Sequence, residues 1–222
     1  MSKKNNLGKK HFSSETIKRL SLYLRNSRRL KSQGVDVISS DKITKLLDVT
    51  PEQFRKDLSC FGGFGKRGVG YNVEILIKEI ERILGVNQQW DIVLVGTGKL
   101  GSALLGFEGF SKFNIKIKYA FDSDENKIGK SRGGVKVDSI KNMKRMIKSE
   151  NIKIALISTP PDVAQEVASQ LIDSGVKSIL NFAPRVLNVP EDVSVSNVDM
   201  AFELESLIFF AKQKQSIKGE IC

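Results

Sequence analysis

Residues 92–101 join a short apolar run to a G-x-G-x-x-G turn. The run Ile92 to Val95 is typical of a parallel strand that is buried on both faces, and the turn after it opens a helix. Gly96 permits the tight turn, Gly98 lets the backbone approach a pyrophosphate, and Gly101 lets the helix pack closely on the strand. This order of elements favours an α/β sheet that binds a nucleotide, with a glycine-rich turn that holds no ligand as the alternative.

A second strand strengthens the prediction. The segment Ile115 to Phe121 leads into Asp122, which lies 21 residues beyond Gly101, where a ribose-binding carboxylate is expected. Asp122 would accept hydrogen bonds from ribose hydroxyls and repel a 2′-phosphate, so the sequence favours NAD(H) over NADP(H) as the cofactor. The residues expected to hold its phosphates at the turn and the new helix are Gly96, Thr97, Gly98, Lys99, Leu100 and Gly101.

The positive charge is concentrated near the N-terminus. Of the net charge of +11, residues 1–71 carry +10, because they contain 16 lysines and arginines against 6 aspartates and glutamates. We call residues 1–71 the basic head and the rest of the chain the body. A basic head of this kind suits a polyanion, usually DNA or RNA, with a solvated basic surface as the alternative. Since the sequence has no run of membrane-span length and no signal-peptide core, we expect a cytoplasmic protein without a membrane partner.

The two cysteines do not organise the fold. Cys60 and Cys222 make neither a disulfide framework nor a metal cluster, so no metal is expected. Cys60 is interpreted as a buried or half-buried residue at a helix end rather than a redox thiol.

Three helices are predicted in the basic head. The first runs from Ser13 or Ser14 to about Ser32, and the second begins at the cap Ser39 to Asp41, after a loop at Val35 to Ile38. The third begins at the N-cap Thr50, with a proline at the first helical position and a glutamine where a capping box needs it. Its inward-facing apolar residues turn four polar side chains toward solvent or a groove: Gln53, Arg55, Lys56 and Ser59.

These polar side chains suit DNA recognition. Arginine and glutamine can read base edges, while lysine and serine commonly hold phosphates. The glycine-rich segment Phe61 to Tyr71 then carries Lys66 and Arg67 at its tip. Three helices and a basic hairpin make a winged helix-turn-helix, which sends one helix into the major groove of double-stranded DNA. An ordinary hinge loop is the alternative for the wing.

The rest of the chain alternates between helices and strands. Asn72 caps a linker helix that ends at Gly85 and whose apolar side chains are expected to join the core of the body. The apolar strands beyond it predict a Rossmann-like, doubly wound parallel sheet. The predicted domains are a winged-helix domain with the linker helix at 1–85, a Rossmann domain that binds NAD(H) at 86–200, and a C-terminal helix and tail at 201–222.

Two proline-containing turns follow predicted strands. Ligands of such sheets lie outside the carboxyl ends of the strands, so both turns are candidates to border the nicotinamide. The first contains Thr159 and Pro160, and the second contains Ala183 and Pro184. Plain punctuation between elements is the alternative for both.

The final helix, Ala201 to about Lys212, is too apolar for a helix with one buried side. Its large apolar side chains are Phe202, Leu204, Leu207, Ile208, Phe209 and Phe210. We expect another chain to bury them in a homodimer, with burial inside its own chain as the alternative. A symmetric dimer would match the two-fold symmetry of many operators.

Segments spread over nearly the whole chain share their pattern with a known family: Arg19 to Arg25, Arg55 to Ser59, Gly65 to Tyr71, Gly96 to Gly101, Phe121 to Asp122, Asn181 to Pro184 and Asn197 to Asp199. In these segments the chain resembles the Rex redox-sensing transcriptional repressors. The resemblance implies a homodimer that binds a palindromic operator, represses fermentative or respiratory genes, and leaves DNA when NADH displaces NAD. It also implies that the terminal helix is exchanged between the two subunits.

The resemblance also implies a switch. Carried over by position, Arg25 would pair with Asp199 across the domain boundary in the DNA-bound form. Family members commonly place a tyrosine after the glycine-rich helix, where it takes over that aspartate when NADH binds. Here Phe107 occupies that place, and phenylalanine has no hydroxyl to donate. The alternative is a related repressor that does not respond to NADH or that responds to another ligand.

An NAD-dependent dehydrogenase is the main rival, since such enzymes share the glycine-rich turn. Hydride-transfer enzymes usually need an acid or base in a substrate pocket, and the only histidine, His11, lies in the basic head. After the dinucleotide fold, only the DNA-reading head and one helix remain, so we predict that the protein is not an enzyme. A third interpretation keeps the head and gives the body coenzyme A or S-adenosylmethionine.

Overall fold

The computed structural model describes residues 12–45, 47–62, 65 and 69–219, and the chain forms two compact units, Met1–Gln89 and Trp90–Cys222. The N-terminal unit therefore ends four residues beyond the boundary expected from the sequence. Four residues named above, His11, Lys66, Arg67 and Cys222, lie outside the described residues.

The N-terminal unit contains the expected helices and a short strand pair. In chain order, its described elements are α1 (Ser14–Ser32), β1 (Val37–Ile38), α2 (Ser40–Thr44), α3 (Pro51–Ser59), β2 (Tyr71–Asn72) and α4 (Val73–Leu84). Each helix begins at its predicted cap, because a side-chain oxygen of Ser13, Ser39, Thr50 or Asn72 accepts a backbone N–H bond. Gln53 does not return to Thr50 as in a capping box, because its Nε2 donates to Asp57 instead.

The prediction of a loop at Val35 to Ile38 is wrong for Val37 and Ile38. Val37 and Ile38 form β1, which pairs antiparallel with Tyr71 and Asn72 of β2. Gly70 makes this approach possible, because it has a φ of +96° and a Cβ there would lie 2.6 Å from the Ile38 carbonyl oxygen. A strand of two residues shows no alternation, and its partner lies beyond two helices, so local sequence could not indicate it.

The linker helix belongs to the N-terminal unit and not to the core of the body, which corrects the expectation from the sequence. Val73, Leu76 and Ile80 of α4 are fully buried in one cluster with Leu20 of α1 and Phe54 of α3. Helical spacing shows that one side of a helix is apolar, but it does not identify what that side packs against.

The C-terminal unit is a sheet with helices on both faces. Its described elements are β3 (Trp90–Val95), α5 (Lys99–Leu105), β4 (Ile115–Asp122), β5 (Ser131–Arg132), β6 (Val135–Ser139), α6 (Met143–Ser149), β7 (Ile154–Ile157), α7 (Pro161–Asp173), β8 (Ser178–Asn181), β9 (Ser194–Asn197) and α8 (Met200–Gly219). Among the described residues the strand order is β5-β6-β4-β3-β7-β8-β9, and only the β5 and β6 pair is antiparallel. The predicted doubly wound sheet is confirmed, with β5 as an unforeseen edge strand.

Alternate side chains of β3 enter opposite cores. Val93 and Val95 pack in the cluster that contains residues of α6 and α7, while Ile92 and Leu94 pack with Leu105 of α5. The chain leaves β3 toward β4 on one side and reaches β7 on the other, so the connections diverge at the end of β3. In open α/β sheets, this divergence creates a crevice for ligands.

The terminal helix α8 extends beyond the predicted end at Lys212. Its large apolar side chains stay more than half exposed in this chain, from 56% for Phe209 and Phe210 to 66% for Ile208. None of the helices within the described residues is long and apolar enough to cross a membrane.

Candidate functional site

The glycine turn lies at the carboxyl end of β3, against the end of β7. Gly96 has a φ of +91°, and a Cβ there would meet the Ser158 carbonyl oxygen at 2.7 Å. A Cβ on Gly101 would collide with the Gly96 carbonyl oxygen, so only glycine allows α5 to pack this closely. A Cβ on Gly98 would meet nothing within 4 Å, which leaves open space for a ligand beside the backbone at this position.

Asp122 lies behind the turn with its carboxylate surrounded by donors. Its Oδ2 accepts from the Thr97 backbone N and Oγ1, both at 2.7 Å, and from Lys127 Nζ at 3.2 Å. Its Oδ1 accepts from the Asp124 backbone N at 3.0 Å. Burial alone would raise the pKa of Asp122, but these hydrogen bonds outweigh it and lower the pKa to about 2. Asp122 is therefore an anion that fixes the turn and holds Lys127.

A pocket of about 340 Å³ opens beside the turn, and cations line it. Its lining residues are Thr97, Gly98, Lys99, Ser102, Lys127 and Arg132. Arg132 donates from Nη1 to Ser102 Oγ at 3.0 Å, while its buried Nε has no partner among the described residues. Three cations from separate elements suit the negative charge of a pyrophosphate. Because α5 has only seven residues, these side chains are the main source of positive charge.

Ser102, Lys127 and Arg132 are pocket residues that the sequence analysis missed. Lys127 follows Asp122 by five residues and forms an ion pair with it. A lysine this close in sequence to the predicted ribose-binding carboxylate is a local feature from which it could have been predicted. Arg132 is invisible to a motif search because strand β5, which carries it to the pocket, was not predicted. Leu100, which was predicted to contact the phosphates, is half-buried in α5 and does not line this pocket.

The first strand-end turn reaches the glycine turn directly. Ser158 Oγ donates to the Gly96 carbonyl at 2.8 Å, and Thr159 Cγ2 is 3.0 Å from the Cβ position of Gly96. Thr159 Oγ1 is buried and has no hydrogen-bond partner within the described part of the chain. A buried hydroxyl without a partner next to the glycine turn is suited to a polar ligand. Pro160 is exposed in the same turn.

The second turn lies at the same carboxyl edge, since β8 is parallel to β7 and adjacent to it. Asn181, fully buried at the end of β8, holds this turn by accepting from the Ala183 backbone N at 3.0 Å. Its Nδ2 donates to the carbonyls of Ala183 and Arg185. Ala183 is buried and Pro184 is exposed, so only one of the two predicted residues is open to a ligand.

The exposed face of α3 carries the predicted DNA contacts. Arg55, Lys56 and Ser59 are exposed, and Gln53 is half-buried. Arg55 Nη1 donates to Ser40 Oγ of α2 at 2.8 Å, which holds the guanidinium near the N-terminus of that helix. The structure corrects the expectation for Cys60, which is exposed beside this face because α3 ends one residue before it.

A buried carboxylate fastens α3 to α1. Asp57 accepts from Arg19 Nε at 2.6 Å and Nη2 at 2.8 Å, from Tyr23 Oη at 2.8 Å, and from Gln53 Nε2 at 2.7 Å. Burial raises the pKa of Asp57, but the hydrogen bonds from Arg19, Tyr23 and Gln53 lower it overall. Gln53 is thus committed in part to Asp57, which limits it as a reader of bases.

The three predicted switch residues lie on different elements. Arg25 is exposed on α1 of the N-terminal unit. Phe107 is 57% exposed, and its ring meets the edge of Phe110 with centroids 5.0 Å apart. Asp199 caps α8, since its Oδ1 accepts from the backbone N of Ala201 and Phe202 at 3.0 and 3.2 Å. The pairing of Arg25 with Asp199 stays a prediction.

The described residues contain no cluster of three or more histidines, cysteines, aspartates or glutamates that could hold a metal ion. The arrangement instead suits an anionic nucleotide. The open position at Gly98, the unpartnered Thr159 hydroxyl and the cation-lined pocket all lie at the carboxyl edge of the sheet. The fold and site define a winged-helix unit joined in one chain to a nucleotide-binding-type sheet.

Known proteins match both units. Residues 11–59 match the family model "Putative DNA-binding protein N-terminus", and residues 87–185 match the "CoA binding domain" model. The "Redox-sensing transcriptional repressor Rex" of Chloroflexus aggregans is 45% identical over 90% of this chain and 94% of its own. The protein of the same name from Desulfitobacterium hafniense is 46% identical over 87% of this chain and 92% of its own.

Solved structures match over nearly the same length. RSP in complex with β-NAD⁺ and operator DNA has a TM-score of 0.89 and 33% identity, covering 95% of this chain and 97% of that one. RSP in complex with β-NADH has a TM-score of 0.84 and 32% identity, covering 95% and 99%. The chain belongs to the Rex family of redox-sensing transcriptional repressors. These relatives are repressors, which confirms the prediction that the chain is not an enzyme.

Proposed function

We propose that this chain is a DNA-binding transcriptional repressor that senses the NADH/NAD ratio, binds a palindromic operator as a homodimer, and is released by NADH. The observation that carries the proposal is the match to Rex repressors over about nine-tenths of both chains, which includes the head and the sheet. The solved relative that matches this chain with a TM-score of 0.89 is described as a complex with β-NAD⁺ and operator DNA.

NAD(H) is the proposed cofactor, held at the carboxyl edge of the sheet. Lys99, Lys127 and Arg132 would face its pyrophosphate, and the backbone at Gly98 leaves it room. When bound, the nicotinamide would supply the redox state that the protein reports. Oδ2 of Asp122 already receives three donors, so a ribose hydroxyl would donate to Oδ1, which among the described residues receives one bond, from the Asp124 backbone N.

Operator binding would rest on α3 and the wing. The exposed cations Arg55 and Lys56 would enter the major groove, and Lys66 and Arg67 would contact the backbone or minor groove. Most of the affinity would come from phosphate contacts of the basic head, and sequence preference from α3.

The homodimer and the cytoplasmic location belong to the same proposal. The apolar surface of α8 stays exposed in one chain and supports burial by a second copy, and the exchange of residues 201–222 would achieve it. A repressor acts on chromosomal DNA, which supports the cytoplasm of a bacterial cell as its place. The domain assignments at 1–85 and 86–200 are proposed as the DNA-binding and NAD(H)-binding parts.

The first test is operator binding by fluorescence anisotropy at fixed salt, with NADH and NAD titrated separately. We expect NADH, but not NAD, to weaken operator binding. Phe107 lacks the hydroxyl of the family's tyrosine, so the response to NADH is the part of the proposal under test. Operator binding that ignores both nucleotides would support the repressor role and reject the redox-sensing role. A protein that binds operator and random DNA equally would reject the repressor.

A further inference from the structure

The side chain of Asn181 joins the second strand-end turn to the strand that precedes α8. The two hydrogens of its Nδ2 are shared among three acceptors, the carbonyls of Ala183 and Arg185 at 3.1 and 2.8 Å and Asn197 Oδ1 of β9 at 2.9 Å. Its Oδ1 accepts from the Ala183 backbone N. The oxygen end of the amide therefore meets a donor and the nitrogen end meets only acceptors, which fixes the orientation of the amide group.

The main chain of Asn181 strengthens the same junction. Asn181 pairs with Ile157 of β7 on one side and with Asn197 of β9 on the other, and its carbonyl accepts from the Val198 backbone N at 2.8 Å. Asp199, the next residue, caps α8 by accepting from two backbone N–H groups of the first turn. Only one residue separates the Asn197 side chain from this cap.

We propose that Asn181 and Asn197 are positioning residues that link the ligand-bordering turn at Ala183 and Pro184 to the start of α8, and so carry the NADH response to the dimer. This inference rests on the proposed function. A ligand that shifts the turn must move the Asn181 amide, since that amide holds both Ala183 N–H and Ala183 C=O. The hydrogen bond from Asn181 to Asn197 then transfers the shift to Asn197 and Val198, the two residues before the cap Asp199.

Coupling of this kind requires that the ligand favour one of two arrangements, and in this proposal the bond between Asn181 and Asn197 is the contact that would differ between them. Asn197 is exposed and its side chain touches Asn181 through a single hydrogen bond, so the side chain can be shortened while the backbone pairing of β8 and β9 is kept. Removing one hydrogen bond alters an equilibrium by about 2- to 10-fold. The response to NADH should change by that factor while NADH binding itself is retained.

The decisive variant is Asn197→Ala, compared with Asn197→Asp and Ser196→Ala. Asn197→Asp keeps an oxygen that accepts from Asn181 Nδ2, and Ser196→Ala changes an exposed residue of the same strand. For each variant, fluorescence measures NADH affinity without DNA, and anisotropy measures how many fold saturating NADH weakens operator binding.

We expect Asn197→Ala to lower the fold response by about 2- to 10-fold, while Asn197→Asp and Ser196→Ala respond like the wild type. NADH affinity and operator affinity without NADH should stay within about twofold of wild type in all three. An unchanged response in Asn197→Ala would overturn the inference, and so would loss of NADH binding or of folding, which would indicate a purely structural role. If the wild type itself ignores NADH, the proposed function fails first and this inference fails with it.

Discussion

A buried carboxylate stays ionised at the glycine turn because donors surround it. Asp122 receives two hydrogen bonds from Thr97, one from Asp124 and one from Lys127. The residue that follows the second strand in the sequence thus acts first as an internal brace. Lys127 both holds this carboxylate and lines the pocket beside the turn, which makes that lysine part of the candidate site.

The pKa of Asp122 yields a prediction about acid stability. A carboxyl whose pKa is about 2 when folded and 3.8 when unfolded stabilises the fold above pH 4, and this stabilisation is lost as the pH falls toward 2. Between pH 5 and pH 3 the wild type should lose about 1 kcal/mol more of its free energy of unfolding than Asp122→Asn. Urea unfolding followed by fluorescence of Trp90, the only tryptophan, reports on this unit. Equal losses would contradict the brace.

Lys127 should matter to the ligand as well as to Asp122. Lys127→Ala removes a cation from the pocket lining, so NADH affinity should fall by about 10- to 150-fold, the value of one charged hydrogen bond. Lys130→Ala is the matched control, because Lys130 is an exposed lysine of the same loop that does not line the pocket. Fluorescence titration with NADH measures both. Similar losses in the two variants would remove Lys127 from the site.

Arg55 tests the reading of DNA by α3. Arginine can read base edges, so Arg55→Ala should lower the preference for operator over random DNA. The difference between the two binding free energies should shrink by about 1–3 kcal/mol. Lys144→Ala, an exposed lysine of α6, controls for the change in net charge. Anisotropy on both duplexes at fixed salt measures the ratio. Equal weakening on operator and random DNA would assign Arg55 to the phosphates.

Among the elements, α8 carries the argument for a dimer. Its apolar side chains lie on every side of the helix and remain exposed, unlike those of α4, whose apolar side is buried in the head. A helix that is apolar all round needs a cover on all sides, and the described part of its own chain leaves it open.

A charge placed on α8 should therefore break the dimer. Leu207→Glu buries an unpaired carboxylate if a second copy covers the helix, so the protein should sediment at the 24.7 kDa chain mass instead of twice that mass. Gln213→Glu adds the same charge at an exposed polar position of α8 and should remain dimeric. Analytical ultracentrifugation distinguishes them. A dimer that tolerates Leu207→Glu would place the interface elsewhere.

For the whole molecule, the proposed function joins two binding equilibria. If NADH weakens operator binding by some factor, the operator must weaken NADH binding by the same factor. We expect NADH titrations with saturating operator to show this loss, and titrations with a random duplex of equal length to show less. NADH affinity that is the same with and without operator would contradict the coupling between the two ligands.

The sequence alone determined the features that depend on neighbouring residues. The caps at Ser13, Thr50 and Asn72, the glycine turn and the alternation of strands follow from local chemistry, so they agree with the structure. The family could also be identified from short motifs, because each motif is a local run of residues.

Only the tertiary structure decided which distant groups meet. It placed α4 in the head, paired β1 with β2, carried Arg132 to the pocket on β5, and exposed Cys60. Each outcome depends on packing between segments far apart in the chain, and apolar spacing gives a side to be buried without naming its partner. The contacts of Asp122 and Asn181 belong here too, since hydrogen bonds form between whichever groups the fold brings together.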